Sequence, residues 1–423
     1  MILFVSLVLD LLSFTLVLPL FPHLLTFYKS QPSSTLLTTI FTHLNTFKSR
    51  FSRPISPHFD TILLGGLLGS LFSLLQALAS PLIGHLSDRH GRRTALLFSL
   101  VGNIVSCLLW VCASTFPIFL ASRVVGGLTE GNVQLALAIA ADISDAQERG
   151  GSMALVGVAF SVAFTMGPMI GAMLSGWVKR KENPFMVAAG GALGLVMVEM
   201  VFVWLFLPET RPKTQPAKKE DTGVKKEETK EEVKDGYLTL LSLTHFLFLL
   251  TFSGLEFSLT FMTYDLFSYT SAHNGRLLGF IGLLASLLQG GFVRRANPGM
   301  VTKLGLLSCA ASFAVLSRTE TELGLYLGAS GLAVTSACVV TGLTTLASLR
   351  IGERERGRVM GGFRSAGQIG RALGPVLFCT LYWWAGRTTA YTIGGAAMVG
   401  VCVVAWRGLV VPRGVGETEK KRV

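Results

Sequence analysis

The chain has 423 residues, half of them hydrophobic and only 15% charged, against about 25% charged in an average soluble protein. With a mean hydropathy of +0.56, that balance excludes a soluble enzyme. The net charge of +12 is spread in small clusters between apolar runs, which excludes nucleic acid as its partner and suits a chain oriented in a membrane.

Uncharged runs long enough to cross a hydrocarbon core about 30 Å thick, roughly 20 helical residues each, recur along the sequence. The first six are predicted near Ile2–Phe21, Thr61–Gly84, Thr94–Ala113, Pro117–Ala141, Met153–Val178 and Pro184–Leu207. Six more follow near Tyr237–Tyr264, Arg276–Val293, Thr302–Leu316, Leu323–Leu349, Val359–Ala385 and Thr388–Val411. The expected fold is therefore an all-α membrane protein of twelve transmembrane helices. Residues 1–208 would form one six-helix bundle with a long outer loop at 23–60, and residues 237–411 the other.

Between the bundles, Glu209 to Gly236 carries eight basic and eight acidic residues. It has too little apolar surface to bury a core, so 209–236 is expected to be a solvated linker. The basic excess falls on alternate connections: Arg89, Arg92 and Arg93, then Arg294, Arg295 and Lys303, then Arg350, Arg354, Arg356 and Arg358. With the basic tail at 412–423, this places both termini and the linker in the cytosol. Lys29, Lys48, Arg50, Arg53 and Lys179 to Lys181 run against that trend. The opening helix has no basic leader or cleavage motif and reads as a retained span. No address distinguishes a plasma from an organelle membrane. The six cysteines sit inside apolar runs without metal-ligand spacing, so no metal or cofactor is expected.

An internal repeat supports the two-bundle division. GLLGSLFSLLQ from Gly66 matches GFIGLLASLLQ from Gly279, and ERGGSM from Glu148 matches ERGRVM from Glu355. Gly-Pro follows the second pair in both copies, at Gly167-Pro168 and Gly374-Pro375. Paired homologous bundles are the framework of alternating access, with the substrate site between them at mid-membrane.

The stretch GHLSDRHGRR, with Gly84, Asp88, Arg89, Gly91, Arg92 and Arg93, resembles the cytoplasmic loop signature of the major facilitator superfamily. In that superfamily the loop is thought to clamp the two halves on the cytosolic side. Asp88 is suited to accept from the N-terminus of a neighbouring helix. The matching stretch in the second half, GGFVRRANPG, lacks an acid, so a one-sided latch is expected. Arg123 with Gly127 resembles the RxxxG of helix four, where the resemblance implies a role in proton coupling. Gly167, Pro168 and Gly171 resemble the core of the antiporter motif in helix five, although Ala154, Ala163 and Ala172 replace its other glycines and leave a packing role equally open. Together with DLLSFTLVLPLFP from Asp10, LPET from Leu207 and SGLEFSLTF from Ser253, the chain is most similar to the tetracycline-transporter-like organic anion transporters. That resemblance implies export or exchange of amphipathic organic anions.

Charges within predicted spans are costly and usually face a cavity or a partner. Asp10 in helix one and Glu256 in helix seven occupy loosely matching positions and are the proton-coupling candidates, with Arg123. Permanent structural bonding of both acids is the alternative. Arg364 and Arg371, seven residues apart on helix eleven, are candidates for an anionic substrate, with Gln76 and Gln289 as polar cavity candidates. Glu130 reads as a local polar residue, and Glu199, alone in VMVEMVFV, as a lipid-shielded carboxyl. No nucleotide loop, catalytic triad or metal cluster is present in the sequence, so the energy source would be a gradient. The expectation is a monomeric secondary transporter of an organic anion or drug-like solute, coupled to protons. A uniporter and a non-transporting scaffold on the same fold are the other readings.

Overall fold

A computed structural model describes residues 1–16, 27–28, 35–49, 57–145, 148–175, 186–210, 229–269, 271–351 and 356–409. Most of the predicted linker, the basic tail, Lys29, Arg50, Arg53, Lys179 to Lys181 and Arg354 lie outside the described residues. Among the described residues, twelve membrane-crossing helices are arranged as two pseudo-symmetric bundles of six. The first bundle contains α1 (Ile2–Leu16), α2 (Pro57–His90), α3 (Arg92–Val111), α4, α5 (Arg149–Ser175) and α6 (Met186–Phe206). Here α4 is split into α4a (Phe116–Thr129) and α4b (Asn132–Asp142). The second bundle contains α7 (Thr229–Phe267), α8 (Ser271–Leu288), α9 (Pro298–Arg318), α10 (Glu322–Ser348), α11 (Arg356–Ala385) and α12 (Arg387–Gly408).

The helices begin and end where local chemistry allows. Asn297 accepts from the backbone N–H groups of Gly299 and Met300, and Pro298 stands at the first helical position of α9. Thr321 caps α10 through Gly324 N–H at 3.2 Å. Two connections are single-glycine turns: Gly91 between α2 and α3 has φ 99°, and Gly386 between α11 and α12 has φ 84°. Both lie in the left-handed region that favours glycine. Helix α7 starts at Thr229, inside the predicted linker, because Lys and Glu there are good helix formers. A π-helical turn, Gln289–Val293, extends α8.

Helix four was expected to be continuous, and the structure interrupts it at Glu130-Gly131. Ser99 of α3 inserts its hydroxyl into the gap, donating to Thr129 O and accepting from Gly131 N–H at 2.9 Å. A side chain that takes over ladder groups in this way is a recognised cause of a helix break. Helix α11 carries four arginines and is less apolar than the other spans. Its 30 residues still give it ample length, about 45 Å at 1.5 Å per residue.

The repeat reappears in the packing. Gly167 and Gly171 of α5 lie against Thr15 and Leu16 of α1, and Gly370 and Gly374 of α11 lie against Phe246, Leu250 and Ser253 of α7. Small residues let paired backbones approach in the membrane. A side chain at Gly171 would collide with the Leu16 carbonyl. Gly171→Leu should therefore destabilise the protein by about 1–3 kcal/mol, read as a lower melting temperature in detergent. Gly190→Ala, which faces open space, should leave melting unchanged.

Large apolar side chains such as Leu82, Phe98, Met173, Trp204, Leu287 and Leu327 are exposed around the outside of the bundles, as expected of surfaces in contact with lipid. The expected outer loop contains a helix, Thr35–Ser49. It packs Leu37, Ile40, Phe41 and Leu44 on an aromatic cluster of Tyr28, Trp110, Phe116 and Phe119. Tyr28 also donates to Ala113 O at 2.7 Å.

Candidate functional site

Three groups of polar residues stand out: one between the bundles, one within the first, and one on α7 and α11 of the second. The first is a closure on the side of the Gly84–Arg93 turn. Asp88 accepts from the backbone N–H of Gly357 at 2.8 Å and of Arg358 at 2.6 Å, the first residues of α11. A carboxylate at a helix N-terminus satisfies orphan donors and complements the helix dipole. Gly84 and Gly357 are in backbone contact, Gly361 lies on Ser80, and Ser365 donates to Ala77 O at 2.6 Å.

Arg92 holds Asp88 at 2.6 Å and also reaches Asp142, at the end of α4b, at 2.8 Å. Asp142 receives Arg356 of the other bundle at 2.5 Å, with its own side chain fully buried. Glu209 accepts from the N–H groups of Arg92 at 2.8 Å and Arg93 at 3.2 Å, capping α3, while the Arg93 guanidinium donates to Trp204 O. Asp142 and Glu209 were not identified in the sequence reading. The available signals were an acid ending helix four and the acid of LPET. Among the described residues, the opposite edge of the closure has no acid of this kind. There Ser161 donates to Gln289 at 2.9 Å, and Arg149 donates to Ser348 O at 3.0 Å.

The second group lies inside the first bundle. Asp10 is 3% exposed and accepts from Asn132 at 2.6 Å and Asn103 at 3.5 Å. Asn103 also donates to Glu130 at 3.0 Å. Glu199 is wholly buried and accepts from Ser6 of α1 at 2.7 Å, so protein rather than lipid shields it. Arg123 stacks on Phe72 and Trp110, 4.4 and 5.3 Å from the ring centroids. Asp10, Asn103, Arg123 and Glu130 line a cavity of about 40 Å³, enough for water.

The third group lies on α11 and α7. Arg371 pairs with Glu256 at 2.8 Å, with 37% and 43% of the two side chains exposed. Arg364, one position before Ser365 at the bundle seam, has no hydrogen bond or ion pair among the described residues, and its Nε is buried. Arg364 lies within electrostatic reach of both Glu130 and Asp10. Gln368, on the same helical face, leaves a buried amide oxygen without a partner. His245 of α7 stacks on Phe363 at 4.4 Å.

The structure thus separates residues that the sequence grouped. Asp10 is enclosed by α3 and α4b, whereas Glu256 is half-open and arginine-paired. Gln76, 5% exposed, donates to Glu130 O at 3.4 Å, and Gln289, 3% exposed, fills the space beside Gly157. Both glutamines therefore sit in helix-to-helix contacts. No three His, Cys, Asp or Glu side chains converge at metal-binding spacing among the described residues.

Two bundles clasped at one face, with buried charges between them, define a multi-pass membrane transporter. Residues 3–375 match the Major Facilitator Superfamily, and the chain belongs to that superfamily. It is 36% identical to mouse "Major facilitator superfamily domain-containing protein 10", over 96% of this chain and 92% of that protein. It is 27% identical to the Escherichia coli "Tetracycline resistance protein, class B", over 78% and 80%. The crystal structure of the human organic anion transporter MFSD10 (TETRAN) superposes with a TM-score of 0.85 at 32% identity, covering 96% of this chain and 98% of that one.

Proposed function

We propose that the protein is a secondary active transporter of an amphipathic organic anion, working by alternating access and coupled to protons. The observation that carries this reading is Arg364, a cation at the seam with no hydrogen bond or ion pair among the described residues. A buried cation that faces acids without pairing directly with them, within a membrane span, marks a substrate path. The guanidinium fork is suited to carboxylate or sulfonate groups. The human relative's description as an organic anion transporter supports the same substrate class. On this reading, residues 1–208 and 237–411 rock about the seam, and the Asp88 closure faces the cytosol with the linker and both termini. The protein works as a monomer.

Coupling follows from charge balance. Glu256 neutralises Arg371 in the empty site. An anion that takes Arg371 leaves Glu256 without its counter-charge, and a proton restores neutrality. Anion and proton therefore favour the same state, and a pH gradient drives anion movement. Asp10, with Arg123 nearby, is the second carrier.

The test is uptake of a fluorescent amphipathic sulfonate into proteoliposomes with and without a pH gradient. Wild-type uptake should rise severalfold when the outside is acidic. Glu256→Gln should keep exchange of the dye but lose most of the response to the gradient. Wild-type flux that ignores the gradient would remove proton coupling, and absence of flux for every anion tried would remove the transport reading.

A further inference from the structure

The second bundle holds a cation that the transport reading does not use. Helices α9 and α12 pack through Phe313, whose side chain lies on Gly394 and Gly395. Towards the other end of the same pair, the Lys303 ammonium sits over the Trp406 ring, 5.6 Å from its centroid. Because successive helices alternate in direction, the start of α9 and the end of α12 lie on the same face as the start of α11, which Asp88 meets. Lys303 is in the second turn of α9. Its side chain leans towards the helix N-terminus, which carries the ammonium towards that face. Trp406 is exposed in the last turn of α12, the depth at which indoles mark a membrane–water interface.

Around this pair the surface is apolar on both helices. Met300 and Leu307 share a helix face with Lys303, Val399 and Val403 share one with Trp406, and all four are exposed. Charge at the rim is unspent. The Lys303 ammonium and the exposed Arg407 guanidinium make no hydrogen bond or ion pair among the described residues. After α12 the sequence continues with Arg413, Lys420, Lys421 and Arg422 against Glu417 and Glu419, so the basic excess persists beyond the helix end.

A cation bordered by hydrocarbon on one side and by the membrane surface on the other selects an amphiphile. The indole ring holds the ammonium in place but takes none of its three N–H donors. Those donors and the Arg407 fork suit the oxygens of a phosphate ester. The apolar stripes suit acyl chains, and a soluble phosphate would leave them unused. A zwitterionic headgroup would bring a second cation beside Lys303, so a lipid of net negative charge is favoured. Basic pockets between transmembrane helices are known seats of such headgroups. We propose that the junction of α9 and α12 binds an anionic phospholipid, with Lys303 and Arg407 on its phosphate and its acyl chains along Leu307 and Val403. The residues involved take no part in the seam, so the site does not require the anion and proton reading.

The test is tryptophan fluorescence of the purified full chain in detergent micelles, titrated with phosphatidylglycerol or phosphatidylcholine whose acyl chains carry bromine, a contact quencher of indole. Both lipids should quench the exposed Trp204 and Trp384 alike. Phosphatidylglycerol should quench a further, saturable component that is lost in Trp406→Phe. Lys303→Gln should raise the half-saturating phosphatidylglycerol concentration about fivefold, the effect of one basic residue at a membrane surface. Arg407→Gln should act in the same direction and covers the case in which Lys303→Gln fails to fold. Arg318→Gln removes the same charge from the far end of α9 and should change nothing. Equal quenching of Trp406 by the two lipids overturns the site, as does an unchanged response in both Lys303→Gln and Arg407→Gln. An Arg318→Gln effect as large as theirs also overturns it, because diffuse attraction of a basic protein to anionic lipid would then suffice. Displacement of the lipid by an equal concentration of glycerol phosphate would overturn the lipid in favour of a soluble phosphate.

Discussion

Replacing Asp142 with alanine should destabilise the protein by about 3–5 kcal/mol, the usual cost of stranding buried partners of an ion pair. Asp142 is fully buried between Arg92 at 2.8 Å and Arg356 at 2.5 Å, and these arginines come from different bundles. Removing the carboxylate leaves two cations facing each other without solvent. The measurement is thermal melting in detergent, where Asp142→Ala should melt many degrees below wild type. Asp142→Asn retains the shape and part of the hydrogen bonding, so it should lie between the two. Equal melting of Asp142→Ala and wild type would show that Asp142 is not the clasp between bundles.

The second large effect has the opposite signature. Arg364→Gln should lower anion uptake by about 10- to 150-fold, corresponding to about 1.5–3 kcal/mol for a lost charge-assisted contact. It should leave melting unchanged or raise it, because Arg364 makes no hydrogen bond or ion pair among the described residues. A residue whose removal harms transport without harming stability serves a ligand rather than the fold. Arg364→Lys should recover part of the uptake, since a point charge replaces the fork. If uptake survived in Arg364→Gln, or if the variant unfolded, the anion would have to be placed elsewhere.

Much of this architecture is legible in the sequence because lipid imposes a simple rule on each span, and the rule acts locally. Apolar run length locates most helices, and the Gly-Pro repeat marks the paired contacts of α5 with α1 and α11 with α7. The loop signature from Gly84 to Arg93 contains its own chemistry, down to an acid placed to meet a helix N-terminus. What the sequence hides is partnership at long range. Arg356 and Asp142 are 214 positions apart, and nothing near either names the other. Asp10 and Glu256 look alike in their flanking residues, yet Asn103 and Asn132 enclose one while Arg371 faces the other. The interruption of α4 is hidden for the same reason: Ser99, on a different helix, completes it. Gln76 and Gln289 signal only that they avoid lipid, which a contact between helices satisfies as well as a cavity.

The two edges of the closure differ in strength, which bears on how the molecule parts. Along α2, α4b and α11 the bundles are joined by the buried Arg356–Asp142 ion pair, which costs several kcal/mol to break by removing one partner, and by Asp88 at the α11 N-terminus. Along α5 they are joined by two hydrogen bonds without an ion pair, Ser161 to Gln289 and Arg149 to Ser348 O, worth about 1–3 kcal/mol each. Separation therefore resembles a book falling open on its spine: the weakly bonded margin yields first, and the charged margin serves as the binding about which the covers turn.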